Sequence, residues 1–160
     1  MNYVFDVDGT LTYARKEMTP DFKSWFIKWM DGKNVYLVTG SDRPKTIEQI
    51  GNEIVDKCNM SFQCCGNDVW RHGMSIAQTN FTVPDDMEGW LQNEVQNSTY
   101  PNRWGNHIEK RVGLINFCVP GRNLPEEARD HYFHWDKAMN ERLDISKRFN
   151  EKFPGFVASI

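Results

Sequence analysis

No excess of either charge marks this chain. It carries 19 Lys and Arg against 22 Asp and Glu, for a net charge of −3. That balance offers no electrostatic footprint for nucleic acid or an anionic membrane, so neither is expected as a partner. No apolar run is long enough to span a bilayer. The first acidic motif lies so close to the amino terminus that no secretory leader is expected. The four cysteines, Cys58, Cys64, Cys65 and Cys118, show no Cys-x-x-Cys spacing and are expected to be reduced thiols of a cytoplasmic protein. Without secretion, the three glycosylation sequons at Asn59, Asn80 and Asn97 carry no meaning. Internal repeats and low-complexity tracts are missing too.

What is present is ordinary in bulk and specific in detail. The chain is 39 % hydrophobic and 26 % charged, with ten Phe, six Trp and five Tyr to fill a core. Its 160 residues suffice for one domain or for a small core plus a cap.

The informative stretch is Phe5-Asp6-Val7-Asp8-Gly9-Thr10-Leu11-Thr12. A short apolar run, Tyr3 to Phe5, reads as a buried strand that delivers two carboxylates to the end of a sheet. Ligand sites in open α/β sheets lie there, beyond the carboxyl ends of the strands. Asp6 is placed to attack phosphorus and form an aspartyl-phosphate, and Asp8 to exchange a proton with the leaving or attacking oxygen. Gly9 permits a positive φ and a close approach of backbone N–H groups to phosphate, with Thr10 beside it. Mg²⁺ is the natural third party, with Asp6 and Asp8 as its ligands, because two carboxylates and a phosphoryl group need a hard cation between them. This is the first motif of the haloacid dehalogenase superfamily, which Asp6, Asp8, Gly9 and Thr10 resemble.

Further along, Thr19-Pro20-Asp21 signals a helix start. The stripe Phe22, Trp25, Phe26 and Trp29 is expected to be core. A second strand, Val35 to Val38, ends in Thr39-Gly40-Ser41, and a helix with Ile47, Ile50 and Ile54 on one face follows. Thr39, Gly40 and Ser41 are thus candidate phosphate ligands. Taken one βα unit after the first motif, they match the superfamily's second. Strands are expected over 60–64, 69–71 and 74–77, the last two joined by a turn at His72-Gly73. Beyond them come a helix over 85–97, paired strands over 108–111 and 114–119, helices over 125–135 and 139–152, and a strand from Phe156. The fold class expected is α/β: the amino-terminal half of a haloacid-dehalogenase-like (Rossmannoid) core over 1–78, then an α+β cap with a small antiparallel sheet over 79–160.

The stretch Arg111 to Arg122, with Asn116 inside it and Arg129 on the next helix, gathers groups that could grip a doubly charged anion. Together with Phe5 to Thr12, Arg15, Gly40-Ser41-Asp42, Gln49, Gly51-Asn52, Ile108-Glu109, Glu126-Glu127 and Asp136-Lys137, it resembles the eukaryotic-type phosphomannomutases. The resemblance implies Asp6 as nucleophile and Asp8 as acid/base. It also implies Arg15, Arg111, Asn116, Arg122 and Arg129 as binders of a sugar phosphate substrate. The implied reaction is exchange of mannose 6-phosphate and mannose 1-phosphate through a bisphosphate, with Mg²⁺, in GDP-mannose biosynthesis. A homodimer through the cap is the oligomer this reading allows. A sugar phosphatase using the same aspartate is the alternative enzyme. A fragment that only binds sugar phosphate, or is completed by a partner, is the alternative to an enzyme.

Two departures stand out. Cys64-Cys65-Gly66-Asn67 occupies the place of the family's Pro-Glu-Asn-Gly turn. The resemblance also implies a core lysine and an acidic pair beyond the cap, and no Asp or Glu follows Glu151. The expectation is a truncated chain with little turnover by itself. His131, His134 and Asp136 have metal-ligand spacing, but with Tyr132, Phe133 and Trp135 interleaved they read as a helix face. Adjacent Cys64 and Cys65, read as strand residues, should point to opposite faces.

Overall fold

The computed structural model describes all residues, Met1 to Ile160. The chain divides into two compact units, Met1–Phe81 with Arg111–Leu114, and Thr82–Lys110 with Ile115–Ile160. No helix is long and apolar enough to cross a membrane.

The first unit is built on a five-stranded sheet of order β1-β2-β3-β4-β5. Its strands are β1 (Asn2–Phe5), β2 (Asn34–Val38), β3 (Met60–Gln63), β4 (Asp68–Arg71) and β5 (Met74–Gln78). The first three are parallel, with Phe5 opposite Leu37 and Leu37 opposite Ser61. β4 and β5 return antiparallel. Parallel strands need crossovers, and α1 (Pro20–Trp29), α2 (Arg43–Ile50) and α3 (Asn52–Lys57) provide them. Val35 and Leu37 alternate inward against Phe26, Met30, Ile50 and Ile54, all 3 % exposed or less. The turn His72-Gly73 takes φ values of 46° and 76°, the left-handed pair that matches strand twist in a two-residue hairpin.

Three expectations are corrected here. The aromatic stripe of α1 is not all core: Phe26 is 2 % exposed, but Phe22 is 37 % and Trp25 is 55 % exposed. The reason is the sheet order, since β1 is an edge strand and α1 has only one flank of sheet to cover. The outer aromatics instead stack along their own helix, Phe22 on Trp25 at 5.6 Å and Trp25 on Trp29 at 6.2 Å. The helix through Ile47, Ile50 and Ile54 is two helices, broken where Gly51 takes φ 87°. The third strand stops at Gln63, and Cys64 and Cys65 lie in a tight turn with φ of 50° and 57°. Cys64 is buried there and Cys65 exposed.

The second unit contains α4 (Asp85–Asn97), most of the two-stranded sheet β6 (Ile108–Arg111) and β7 (Leu114–Phe117), whose tip Arg111–Leu114 belongs to the first unit, α5 (Glu126–Met139) and α6 (Glu141–Lys152). Tyr100, 1 % exposed, meets Tyr132 and Trp135 edge-on at 4.9 and 5.1 Å. Its hydroxyl hydrogen-bonds His131 Nδ1 at 3.0 Å, while Asp136 is buried against Arg142 at 2.7 Å. The helix-face reading of His131 to Asp136 therefore stands in place of a metal site. Glu94, 5 % exposed, accepts two bonds from Arg148. The expected strand from Phe156 does not form: that segment is irregular, and Ala158 is tied through its N–H and carbonyl to the Asn150 side chain.

The thiols make a prediction. Burial pushes the Cys58 thiol up to about 12 from an ordinary 9.0, and burial also raises Cys64. Exposed Cys65 should therefore alkylate first with iodoacetamide at pH 8 and Cys58 last, followed by mass spectrometry. A raised folded value means the buried thiol's stabilisation is complete below pH 9.0 and is lost as pH climbs toward about 12. Labelling of Cys58 as fast as Cys65 would contradict this.

Candidate active site

β1 ends at Phe5, and the next side chain, Asp6, is exposed at the carboxyl edge of the sheet. Its Oδ1 accepts the Val7 N–H at 2.7 Å, which fixes the carboxylate beside the backbone. Val7, fully buried, anchors the loop in the core. Its carbonyl accepts from Thr10, Leu11 and Thr12 at 3.0–3.3 Å, and Gly9, with φ 78°, donates to the Thr12 carbonyl at 2.8 Å. The loop is thus closed by its own hydrogen bonds, and the carboxylates sit on a fixed turn.

The N–H groups of Gly9 and Thr10 donate inside the turn, and the Thr10 side chain is exposed at its surface.

Asp8 is half-buried. Its Oδ1 accepts two bonds, from the Arg15 N–H at 2.9 Å and from Gln49 Nε2 at 2.6 Å. Arg15 itself is exposed, in the left-handed region with φ 62°.

β2 runs parallel to β1 in the register Phe5 opposite Leu37, so the loop after Val38 leaves the same end of the sheet as Asp6. Thr39 is 4 % exposed, and its Oγ1 accepts the Ser41 N–H at 3.1 Å. Asp42 caps α2 by accepting the Lys45 N–H at 3.0 Å. The carbonyls of Thr39 and Ser41 accept from Cys65 and Cys64 at 3.0 and 2.9 Å, which pins this second loop to the turn after β3. Gly40, exposed, and the half-buried Ser41 hydroxyl remain at its surface.

Arg111 belongs to this first unit. Its Nη1 donates to the Gly40 carbonyl at 2.9 Å and its Nε lies 3.7 Å from Asp42, with the side chain only 8 % exposed. The turn that follows it needs glycine: Gly113 has φ 68°, and a Cβ there would come within 2.5 Å of Asn67. A cation therefore sits on the second loop, next to the Thr39-Gly40-Ser41 segment.

In the second unit, Arg122 and Asn116 converge on one carboxylate. Arg122 Nε is 2.6 Å from Glu109 Oε2, and Asn116 Nδ2 donates to the same oxygen at 3.3 Å. Arg129 stands in the first turn of α5, half-buried. Within the first unit Arg111 joins the second loop, and within the second Arg122 joins Asn116 on Glu109. Sequence reasoning gave no role to Gln49 or Glu109. A glutamine beside an isoleucine stripe and a glutamate on a strand look like surface residues, and only the fold brings each to its partner.

No group of three or more His, Cys, Asp or Glu side chains converges anywhere. Asp6 and Asp8 nonetheless supply two hard carboxylates on one fixed loop, and Mg²⁺ is commonly held by one or two carboxylates plus substrate phosphate oxygens. Those two residues fit the ion in that mode.

A model of the family described as eukaryotic phosphomannomutase matches residues 22–159. A phosphomannomutase of Saccharomyces cerevisiae is 30 % identical over 96 % of this chain and 63 % of its own length. One from Arabidopsis thaliana is 31 % identical over 94 % of this chain and 63 % of its own. The chain thus spans less than two thirds of the length of these relatives. A solved IMP-nucleotidase of Plasmodium falciparum, amino-terminally truncated and bound to IMP, superposes with a TM-score of 0.52 over 99 % of this chain and 48 % of that one. At 12 % identity that likeness shows shared fold alone. The matched residues begin past the Asp6 loop, while the similarity to the yeast and plant proteins takes in nearly the whole sequence. On those matches, the chain belongs to the eukaryotic phosphomannomutase family.

Proposed function

We propose that this chain carries the phosphoryl-accepting half of a phosphomannomutase-like site. The observation that carries the reading is the pair of carboxylates on one closed loop, Asp6 exposed and Asp8 held through one oxygen by two donors. An Asp6 carboxylate oxygen attacks phosphorus, the bond from phosphorus to the sugar oxygen breaks, and Asp8 passes its proton to that oxygen. In the reverse sense Asp8 takes the proton from an attacking sugar hydroxyl as phosphate leaves Asp6. Run twice, with the sugar bisphosphate turned end for end, this exchanges mannose 6-phosphate for mannose 1-phosphate. Mg²⁺, when bound at this loop with the Asp6 carboxylate as ligand, would supply neutralisation of the phosphoryl oxygens, while Asp8 keeps its proton for the exchange. Thr10, Ser41 and Gly40 line the two loops that would receive the phosphate. Arg111 adds positive charge beside the second of them, and Arg15, Asn116, Arg122 and Arg129 are the residues proposed to bind the sugar phosphate.

The test follows mannose 6-phosphate with a catalytic amount of hexose bisphosphate and Mg²⁺ by phosphorus NMR. Only slow growth of the mannose 1-phosphate resonance is expected, in keeping with a chain that spans less than two thirds of its relatives. Growth of free phosphate alone would overturn the mutase in favour of a sugar phosphatase, with water taking the intermediate. Saturable binding of sugar phosphate with neither product would leave the binding-fragment reading.

A further inference from the structure

We propose that Gln49 is a positioning residue that holds the Asp8 carboxyl for proton transfer; the inference rests on the acid/base reading of Asp8. Gln49 is 2 % exposed in the last turn of α2, 41 residues from Asp8 in sequence. It reaches the catalytic loop twice. Its Nε2 donates to Asp8 Oδ1 at 2.6 Å, and its backbone carbonyl accepts the Met18 N–H at 2.7 Å, at the far end of the same loop. One residue of a core helix therefore ties both the carboxylate and the return of the loop that carries it.

The amide looks out of place by packing alone. Its Oε1 is buried without a hydrogen-bond partner, and an unsatisfied buried polar atom costs stability that an apolar side chain of similar shape would not. Its neighbours in the chain, Ile47 and Ile50, pack against the core as that logic expects. What the amide supplies and an apolar residue could not is the N–H donor. With the Arg15 N–H on the same oxygen, Oδ1 is engaged by two donors. Two donors on one oxygen hold the carboxyl in a single orientation and leave Oδ2 as the atom for exchange. Orienting hydrogen bonds of this kind behind a working group are commonly worth about 10–100-fold.

The test compares two phosphoryl donors that differ in how much they need a proton. Acetyl phosphate leaves acetate, a stable anion; a hexose bisphosphate leaves a sugar alkoxide, which needs the Asp8 proton as the phosphorus–oxygen bond breaks. Single-turnover labelling of Asp6 is measured from each donor for the parent chain, Gln49→Met, Gln49→Leu and Asp8→Asn. The ratio of bisphosphate to acetyl phosphate rates should fall about 10–100-fold in both Gln49 variants, and further in Asp8→Asn. Both apolar variants should melt no lower than the parent, since the unpaired oxygen is gone. An unchanged ratio in Gln49→Met and Gln49→Leu, with the ratio lowered in Asp8→Asn, would overturn the role of Gln49 alone. An unchanged ratio in Asp8→Asn would overturn the acid/base reading and the inference with it.

Discussion

Replacing Asp8 by Asn is expected to slow transfer of phosphate from a hexose bisphosphate to Asp6 by about 10²–10⁴-fold, the usual worth of a positioned general acid. The amide keeps an oxygen where the carboxylate had one, so it can still accept from the Arg15 N–H and from Gln49 Nε2. The loop has no reason to rearrange, because its closure runs through the Val7 carbonyl and Gly9, not through the Asp8 side chain. What is lost is the transferable proton. Rapid-quench measurement of labelled protein, beside circular dichroism to show the fold intact, reads the effect. A fall of less than about threefold would mean that the proton comes from elsewhere.

The largest expected stability effect is Phe26→Ala, at about 3–5 kcal/mol. Phe26 is 2 % exposed, and it packs edge-on against Phe5 at 5.4 Å, directly before Asp6, and flat against Trp29 at 5.5 Å. Removing the ring empties the space between α1 and the end of β1 and leaves little around it able to collapse. Trp25→Ala on the same helix, at 55 % exposure, should cost far less, within about 0.5–1 kcal/mol. Amide hydrogen exchange in β1 and β2 reports the first unit separately from the second. Equal loss of protection in the two variants would show that the stripe is buried in solution as its spacing suggests.

That contrast shows where sequence reading stops. The helical period of Phe22, Trp25, Phe26 and Trp29 correctly marks α1, but burial depends on whether sheet lies on both flanks, and the position of β1 at the edge is a property of the whole sheet. Hairpins at His72-Gly73 and Val112-Gly113 were legible because each turn places a glycine where the backbone takes a positive φ, 76° at Gly73 and 68° at Gly113. The break at Gly51 was missed, since the isoleucine spacing runs on through it. So was the irregular end after Phe153, where apolar residues suggested a strand and no neighbouring strand pairs with them.

The site divides the same way. The placing of Asp6 and Asp8 at a strand end was legible because both lie within three consecutive residues after β1. The roles of the surrounding groups were not. Whether the Gly9 N–H faces a ligand or the Thr12 carbonyl is decided by the loop's own closure. The partners of the arginines lie elsewhere in the chain, Asp42 and Gly40 for Arg111 and Glu109 for Arg122, and spacing alone does not name them.

The central claim is that phosphate enters this protein at Asp6. The direct test incubates the chain with acetyl phosphate and Mg²⁺, quenches in acid, and maps the phosphorylated peptide with and without hydroxylamine, which cleaves acyl phosphates. A single hydroxylamine-sensitive phosphate is predicted on the peptide containing Asp6, absent from Asp6→Asn and retained in Asp8→Asn. Labelling that survives Asp6→Asn, or that maps to another residue, would contradict the account.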